Sequence, residues 1–164
     1  GGWQGTQLGG YNPDNNAEHY NKNYDTYQTV TGLPAGRYQV GVQGFYRKGN
    51  AANDYELWLN GDTANNNALI YATSSEGTYS KPFVQACSAA LSESLGGKSA
   101  SVGSGLYIPD DMVAAGAWFA EGYYHNYLDV EVGSDGLLTI GIRKDTTISA
   151  DWTIIDNWTL IKIY

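Results

Sequence analysis

Arg37-Tyr38-Gln39-Val40-Gly41-Val42-Gln43-Gly44-Phe45-Tyr46-Arg47 is the stretch on which the fold turns. Tyr38, Val40, Val42 and Tyr46 share one parity; Gln39, Gly41, Gln43, Phe45 and Arg47 share the other. Side chains of a strand alternate between its two faces, so this is a strand with one core face and one polar face that also carries a ring and a guanidinium. It follows Gly32-Leu33-Pro34-Ala35-Gly36, a run that stops the short strand candidate at 28–30 and reverses the chain.

The same two-residue period returns in the C-terminal third. Leu128, Val130 and Val132 alternate with Asp129 and Glu131, Gly133-Ser134-Asp135-Gly136 supplies a hairpin turn, and Leu138, Ile140 and Ile142 alternate with Thr139, Gly141 and Arg143. A last long strand is expected over 152–163. Between these anchors, residues 55–59 read as a strand with Leu57 and Leu59 on one face and Glu56 and Trp58 on the other. Residues 61–67 read as a loop and 68–72 as a short strand. The run 81–95 fits a helix or a covering segment, and 96–105 a flexible Gly/Ser stretch. Pro109-Asp110-Asp111 opens the single expected helix, whose body is 112–120 and whose stop is Gly122. Short strands, Gly and Asn turns and one short helix define an all-β antiparallel sandwich.

Composition narrows the function. The chain has 164 residues, enough for one domain, and is 42% hydrophobic but only 16% charged, too apolar for a disordered segment. A net charge of −8 with nine basic residues disfavours nucleic acid and anionic membrane surfaces. No apolar run reaches the ~20 residues of a bilayer span. One cysteine, Cys87, excludes an internal disulfide framework; placed among small and apolar residues, it reads as a buried, inert thiol. The chain opens on Gly1-Gly2-Trp3 without a signal-peptide pattern, which reads as a single module, residues 1–164, excised from a longer protein.

His19 and His125, the only histidines, sit in no metal-binding or triad-like signature and read as surface or loop residues. Nucleophile-elbow and phosphate-loop motifs are absent, and the acids at Asp110-Asp111, Asp129/Glu131 and Asp151/Asp156 read as solvated surface rather than a glycosidase pair. The aromatic set points elsewhere: 14 Tyr and 5 Trp against 3 Phe. Tyr and Trp pack and hydrogen-bond at once, which suits a pyranose with its apolar C–H face and hydroxyl rim. Each covered ring contributes roughly 1 kcal/mol, so a few rings give roughly mM to μM affinity. The expected contact residues are Gln43, Phe45 and Arg47 on the non-core parity, Trp58, and a second group of Trp118, Tyr123 and Tyr124 on and after the helix; for Phe45 the rival reading is a loop or helix that covers that end of the sheet. Of Trp118 and Phe119, adjacent on that helix, one is expected to pack inward and the other to stay free.

Three blocks carry a family likeness: residues 17–38, with Gln28 leading into Gly32-Leu33-Pro34-Ala35-Gly36-Arg37-Tyr38; then Val42-Gln43-Gly44-Phe45-Tyr46-Arg47; then Leu138 to Asp145 with Asp151-Trp152-Thr153-Ile154-Ile155-Asp156-Asn157-Trp158-Thr159-Leu160. Over roughly residues 15–162 they resemble the galactose-binding-domain-like β-sandwich modules of secreted and surface glycan-degrading proteins of Bacteroidetes. They are more distantly similar to jelly-roll carbohydrate-binding modules. The resemblance implies a jelly roll without catalytic residues of its own, secreted or on the cell surface, monomeric, and fused to a glycoside hydrolase or other catalytic domain. It implies a structural Ca²⁺ held by Glu18 and Asp156, with Asp25 as a third ligand. The polar parity of 37–47 adds a concave cleft for internal segments of a plant β-glycan such as xylan or mixed-linkage glucan. The competing reading is a ligand-free structural or adhesion spacer.

Overall fold

The computed structural model describes residues 2–9, 16–61 and 67–164. The segment around Tyr11-Asn12-Pro13-Asp14 and most of the expected loop at 61–67 lie outside the described residues. Strands are numbered in chain order. β1 (Gln4–Gly5), β3 (Tyr24–Val30), β10 (Leu138–Lys144), β5 (Ala68–Ser74) and β6 (Gly77–Pro82) form one sheet in that spatial order. β2 (Ala17–Tyr20), β11 (Trp152–Lys162), β4 (Gly36–Arg47) and β9 (His125–Val132) form the second. Every pairing within them is antiparallel, giving the expected all-β sandwich.

The parity of the deciding stretch sets the main core. Tyr38, Val40, Val42 and Tyr46 face Ile70, Ala72, Leu138, Ile140 and Ile142 of the opposite sheet, with Leu128, Val130 and Val132 of β9 beside them. The opposite face of β4 is not the open surface expected. Phe45, Trp152 and Ile154 are roofed by α2 (Met112–Ala120), by the 3-10 turn Ala86–Ala89, and by the hairpin of β7 (Ser99–Val102) and β8 (Leu106–Pro109). The protein therefore has two apolar cores, one on each side of the same four-stranded sheet.

Several local expectations change for identifiable reasons. Residues 55–59 are not a strand but the end of a helix, α1 (Ala51–Leu59). The Asn50 side chain caps it by accepting from Asn53 N at 2.9 Å, and Asp54 in its first turn is fully buried, accepting from Lys48 N and from Cys87 N. Five residues of alternation are too few to separate a strand from a helix face, and the cap is the stronger signal. The fold thus has two helices among the described residues rather than one. The 96–105 run is not a flexible stretch throughout, because Ser99 to Val102 pairs with β8 across Gly103-Ser104-Gly105, two of whose glycines take φ of +55° and +76°. The 81–95 run does serve as cover, through its 3-10 turn. α2 forms as expected, capped by Asp111, which accepts from Ala114 N at 2.7 Å; Pro109 ends β8 rather than opening the helix.

β11 carries the least foreseen feature. Its register against β4 runs Asp156↔Gln43 and then Thr159↔Gly41, so one extra residue is inserted in β11. Asn157 adopts φ +55° and its Nδ2 donates to Gln43 Oε1 at 2.7 Å, pinning a β-bulge. Alternation would place Asp156 on the inward side with Trp158 and Leu160. The bulge reverses the parity: Ile155 and Leu160 face the main core, and Asp156 pairs on the outer face with Gln43.

Candidate functional site

The second core decides which expected contact residues can meet a ligand. Phe45 is fully buried, its ring 4.6 Å from that of Tyr124 and 5.2 Å, edge-on, from that of Trp152. Trp118 is fully buried as well and its Nε1 donates to Ala89 O at 2.9 Å; its neighbour Phe119 is buried too, so neither ring of that pair is free. Tyr124 is buried and donates its hydroxyl to Ala86 O at 2.7 Å. Gln43 is buried, its Nε2 donating to the carbonyls of Phe119 and Tyr123, where it locks the C-terminal end of α2 to β4. These four hold the cover layer on the sheet and present no face to a sugar. Tyr123 is half-buried at the edge of the same layer, and Trp58 stays exposed on α1.

Arg47 is different. It is buried, yet it lines a cavity of about 370 Å³ together with Glu18, Tyr20, Lys98, Asp110, Asp111, Met112 and Trp152. Its Nε donates to Gly49 O at 3.0 Å, Nη2 to Ala150 O at 3.1 Å and Nη1 to Asp110 Oδ1 at 2.8 Å, with the guanidinium 5.2 Å from the Trp152 ring centroid. Such a group has no remaining rotamer freedom and keeps two of its five N–H donors. Trp152 Nε1 in turn donates to Glu18 Oε2. The indole thus sits between a carboxylate at its edge and a guanidinium over its face. Lys98 reaches Asp110 Oδ2 at 3.3 Å, and Tyr20, half exposed, walls the cleft on the β2 side.

The three expected calcium ligands do not come together. Glu18 lies on β2 and Asp25 on β3, in different sheets, and Asp25 Oδ1 accepts the Tyr71 hydroxyl at 2.5 Å. Asp156 lies on β11 on the same outer face as Glu18, whose register partner there is Ile154. Among the described residues no three His, Cys, Asp or Glu side chains form a group that could hold a metal ion.

Both histidine expectations need comment. His125 is exposed on β9, its ring parallel to that of Tyr127 within 4°. His19 is not a surface residue but fully enclosed, stacked on Tyr24 with ring centroids 4.2 Å apart. Thr26 Oγ1 donates to Thr6 O, so toward His19 it accepts, and the His19 proton sits on Nε2, 2.8 Å away. Nδ1 is buried with no hydrogen-bond partner among the described residues. Burial first, then Lys22 and Lys144, lower the His19 pKa from 6.5 to about 3, so the ring is neutral. Cys87 is buried as expected, and burial and the adjacent Asp54 carboxylate push its thiol up, away from reactivity.

Four cleft residues escaped sequence reading as ligand contacts. Trp152 sits in a fold-defining block and reads as core, which it also is. Tyr20 ends a four-residue strand too short to show a period, and Lys98 lies in the Gly/Ser-rich run. Asp110 reads as a helix opener and a solvated acid.

The class is thus an all-β, two-sheet antiparallel sandwich with a roofed outer face and a polar, aromatic-edged cleft where the roof meets β2. No family model matches the chain, and no curated protein matches it. Its fold trace is similar to the solved structure of TmCBM61 in complex with β-1,4-galactotriose, at TM-score 0.49 and 13% identity, over 98% of this chain and 88% of that one. No helix among the described residues is long and apolar enough to cross a membrane.

Proposed function

We propose that this chain is a non-catalytic glycan-binding module and that the sugar enters the Glu18–Tyr20–Arg47–Trp152 cleft rather than lying along a concave sheet face. The observation that carries this reading is the pairing, across one indole, of a fixed carboxylate and a fixed guanidinium in a cavity of about 370 Å³ edged by an exposed tyrosine. That volume is at the small end of ligand sites and matches one or two sugar rings. A hydroxyl rim needs donors and acceptors already in place, and an apolar C–H face needs a ring such as Tyr20. The sheet-face alternative loses its support because Gln43 and Phe45 are under the roof and Trp118 is buried within it. The proposed biological setting is a secreted or surface module that keeps a fused catalytic domain near a plant polysaccharide, with xylan and mixed-linkage β-glucan as the first candidates.

Affinity electrophoresis tests this with gels containing xylan, mixed-linkage β-glucan, mannan, galactan or pectin. Retardation by one of them is expected, and Tyr20→Ala should remove most of it while leaving the melting temperature unchanged, since the ring is 53% exposed. Covering that ring contributes about 1 kcal/mol. No retardation on any gel would return the module to the ligand-free spacer class. Retardation that survives Tyr20→Ala would move the sugar out of this cleft.

A further inference from the structure

The charges lining the cleft are unequal. Glu18, Asp110 and Asp111 face Arg47 and Lys98, three carboxylates against two cations, in a chain whose net charge is −8. Both cations are committed to one carboxylate: Arg47 Nη1 reaches Asp110 Oδ1 at 2.8 Å and Lys98 Nζ reaches Asp110 Oδ2 at 3.3 Å. Asp111 is held at the start of α2, accepting from Ala114 N and Lys98 N. Glu18 has one oxygen taken by Trp152, and no cation among the described residues is paired with it.

From this we infer that the cleft selects neutral sugar residues and rejects uronic acids, with adjacent hydroxyls bridged between Glu18 and the Arg47 guanidinium across the Trp152 indole. The inference rests on the glycan-binding reading above and specifies its ligand class. A carboxylate accepts from one hydroxyl while a guanidinium donates to the next, and a vicinal diol satisfies both without adding charge. A ligand carboxylate in the same place would lie against Glu18 and Asp111 and would have to compete with Asp110 for both cations, a like-charge arrangement that discriminates strongly.

The test titrates the isotopically labelled protein with galactose, glucose, xylose and mannose, then with galacturonate and glucuronate, following backbone amides of the cleft. At least one neutral sugar is expected to bind, with its matching uronate at least about tenfold weaker, a gap the size of one charged hydrogen bond. Glu18→Gln keeps an acceptor for Trp152 and should narrow that gap while weakening the neutral sugar. Lys98→Glu, on a side chain 72% exposed and so harmless to folding, should widen it. Uronates that bind as well as neutral sugars, with Tyr20→Ala still abolishing both, would overturn the selectivity and leave the glycan cleft standing. Sugar-induced shifts that avoid the cleft amides and ignore Tyr20→Ala would overturn the cleft itself.

Discussion

His19 should make this protein acid-sensitive between pH 7.5 and pH 5. The folded ring is held neutral, with a pKa lowered to about 3, whereas the unfolded chain restores the ordinary 6.5. Between those values the unfolded state binds the extra proton, so stability is full above pH 6.5 and is lost as pH falls through the window. From pH 7.5 to pH 5 the loss attributable to this one group is about 2 kcal/mol. In a chain of this size that lowers the melting temperature by roughly 4–8 °C. His19→Gln keeps a donor toward Thr26 but cannot be protonated. It should begin less stable at pH 7.5, having lost the Tyr24 stack, and then show a much flatter decline toward pH 5. Thermal melts by circular dichroism at half-unit steps of pH measure both slopes. Parallel slopes for the two proteins, or a His19 ring resonance titrating near pH 6.5 in the folded state, would refute the reasoning.

Three further outcomes follow from the burial pattern. Phe45→Ala removes a fully buried ring that touches Tyr124 and Trp152, and should destabilise by about 3–5 kcal/mol in a denaturant melt. Trp58→Ala, at a side chain on α1 that is 37% exposed, should cost clearly less than Phe45→Ala in the same experiment. Lys144 and Asp151 form a buried ion pair, with Tyr46 also donating to Asp151 Oδ2, so either Lys144→Met or Asp151→Leu alone should cost about 3–5 kcal/mol by leaving one charge unmatched. The double replacement should recover most of that loss; a fully additive double mutant would count against the pairing.

The sandwich was legible because its longest strands advertise a period of two. Residues 37–47, 128–132 and 138–143 fall where expected, and the faces read from parity are the faces that pack inward. What parity cannot reveal is whether the other face is bare. Phe45 on the polar side of β4 hinted at a cover, but the covering pieces are small, Ala-rich and scattered over α2, the 3-10 turn and the β7–β8 hairpin. None of them is amphipathic enough to announce a second core. α1 was missed because its start is set by a cap on Asn50 and by the buried Asp54, while its Glu56-Leu57-Trp58-Leu59 tail imitates alternation. The site was less legible than the fold. Arg47 and Glu18 were both singled out, for separate roles, and what unites them is Trp152, whose indole links β11 to both. A single inserted residue at Asn157 was enough to invert the parity argument for Asp156.

The two-sided use of the four-stranded sheet divides the cleft's residues by what they are free to change. Arg47 and Trp152, its floor, are also structural members of the layer beneath the roof, buried and tied to Phe45, Ile154 and the carbonyls of Gly49 and Ala150. Altering either to suit a different ligand would unsettle the whole molecule. Tyr20 and Lys98, on the rim, have no such second duty, being largely exposed. On the proposed glycan-binding reading, diversification of specificity is therefore confined to the margin, and a library built for new ligands should leave the floor untouched and randomise the rim.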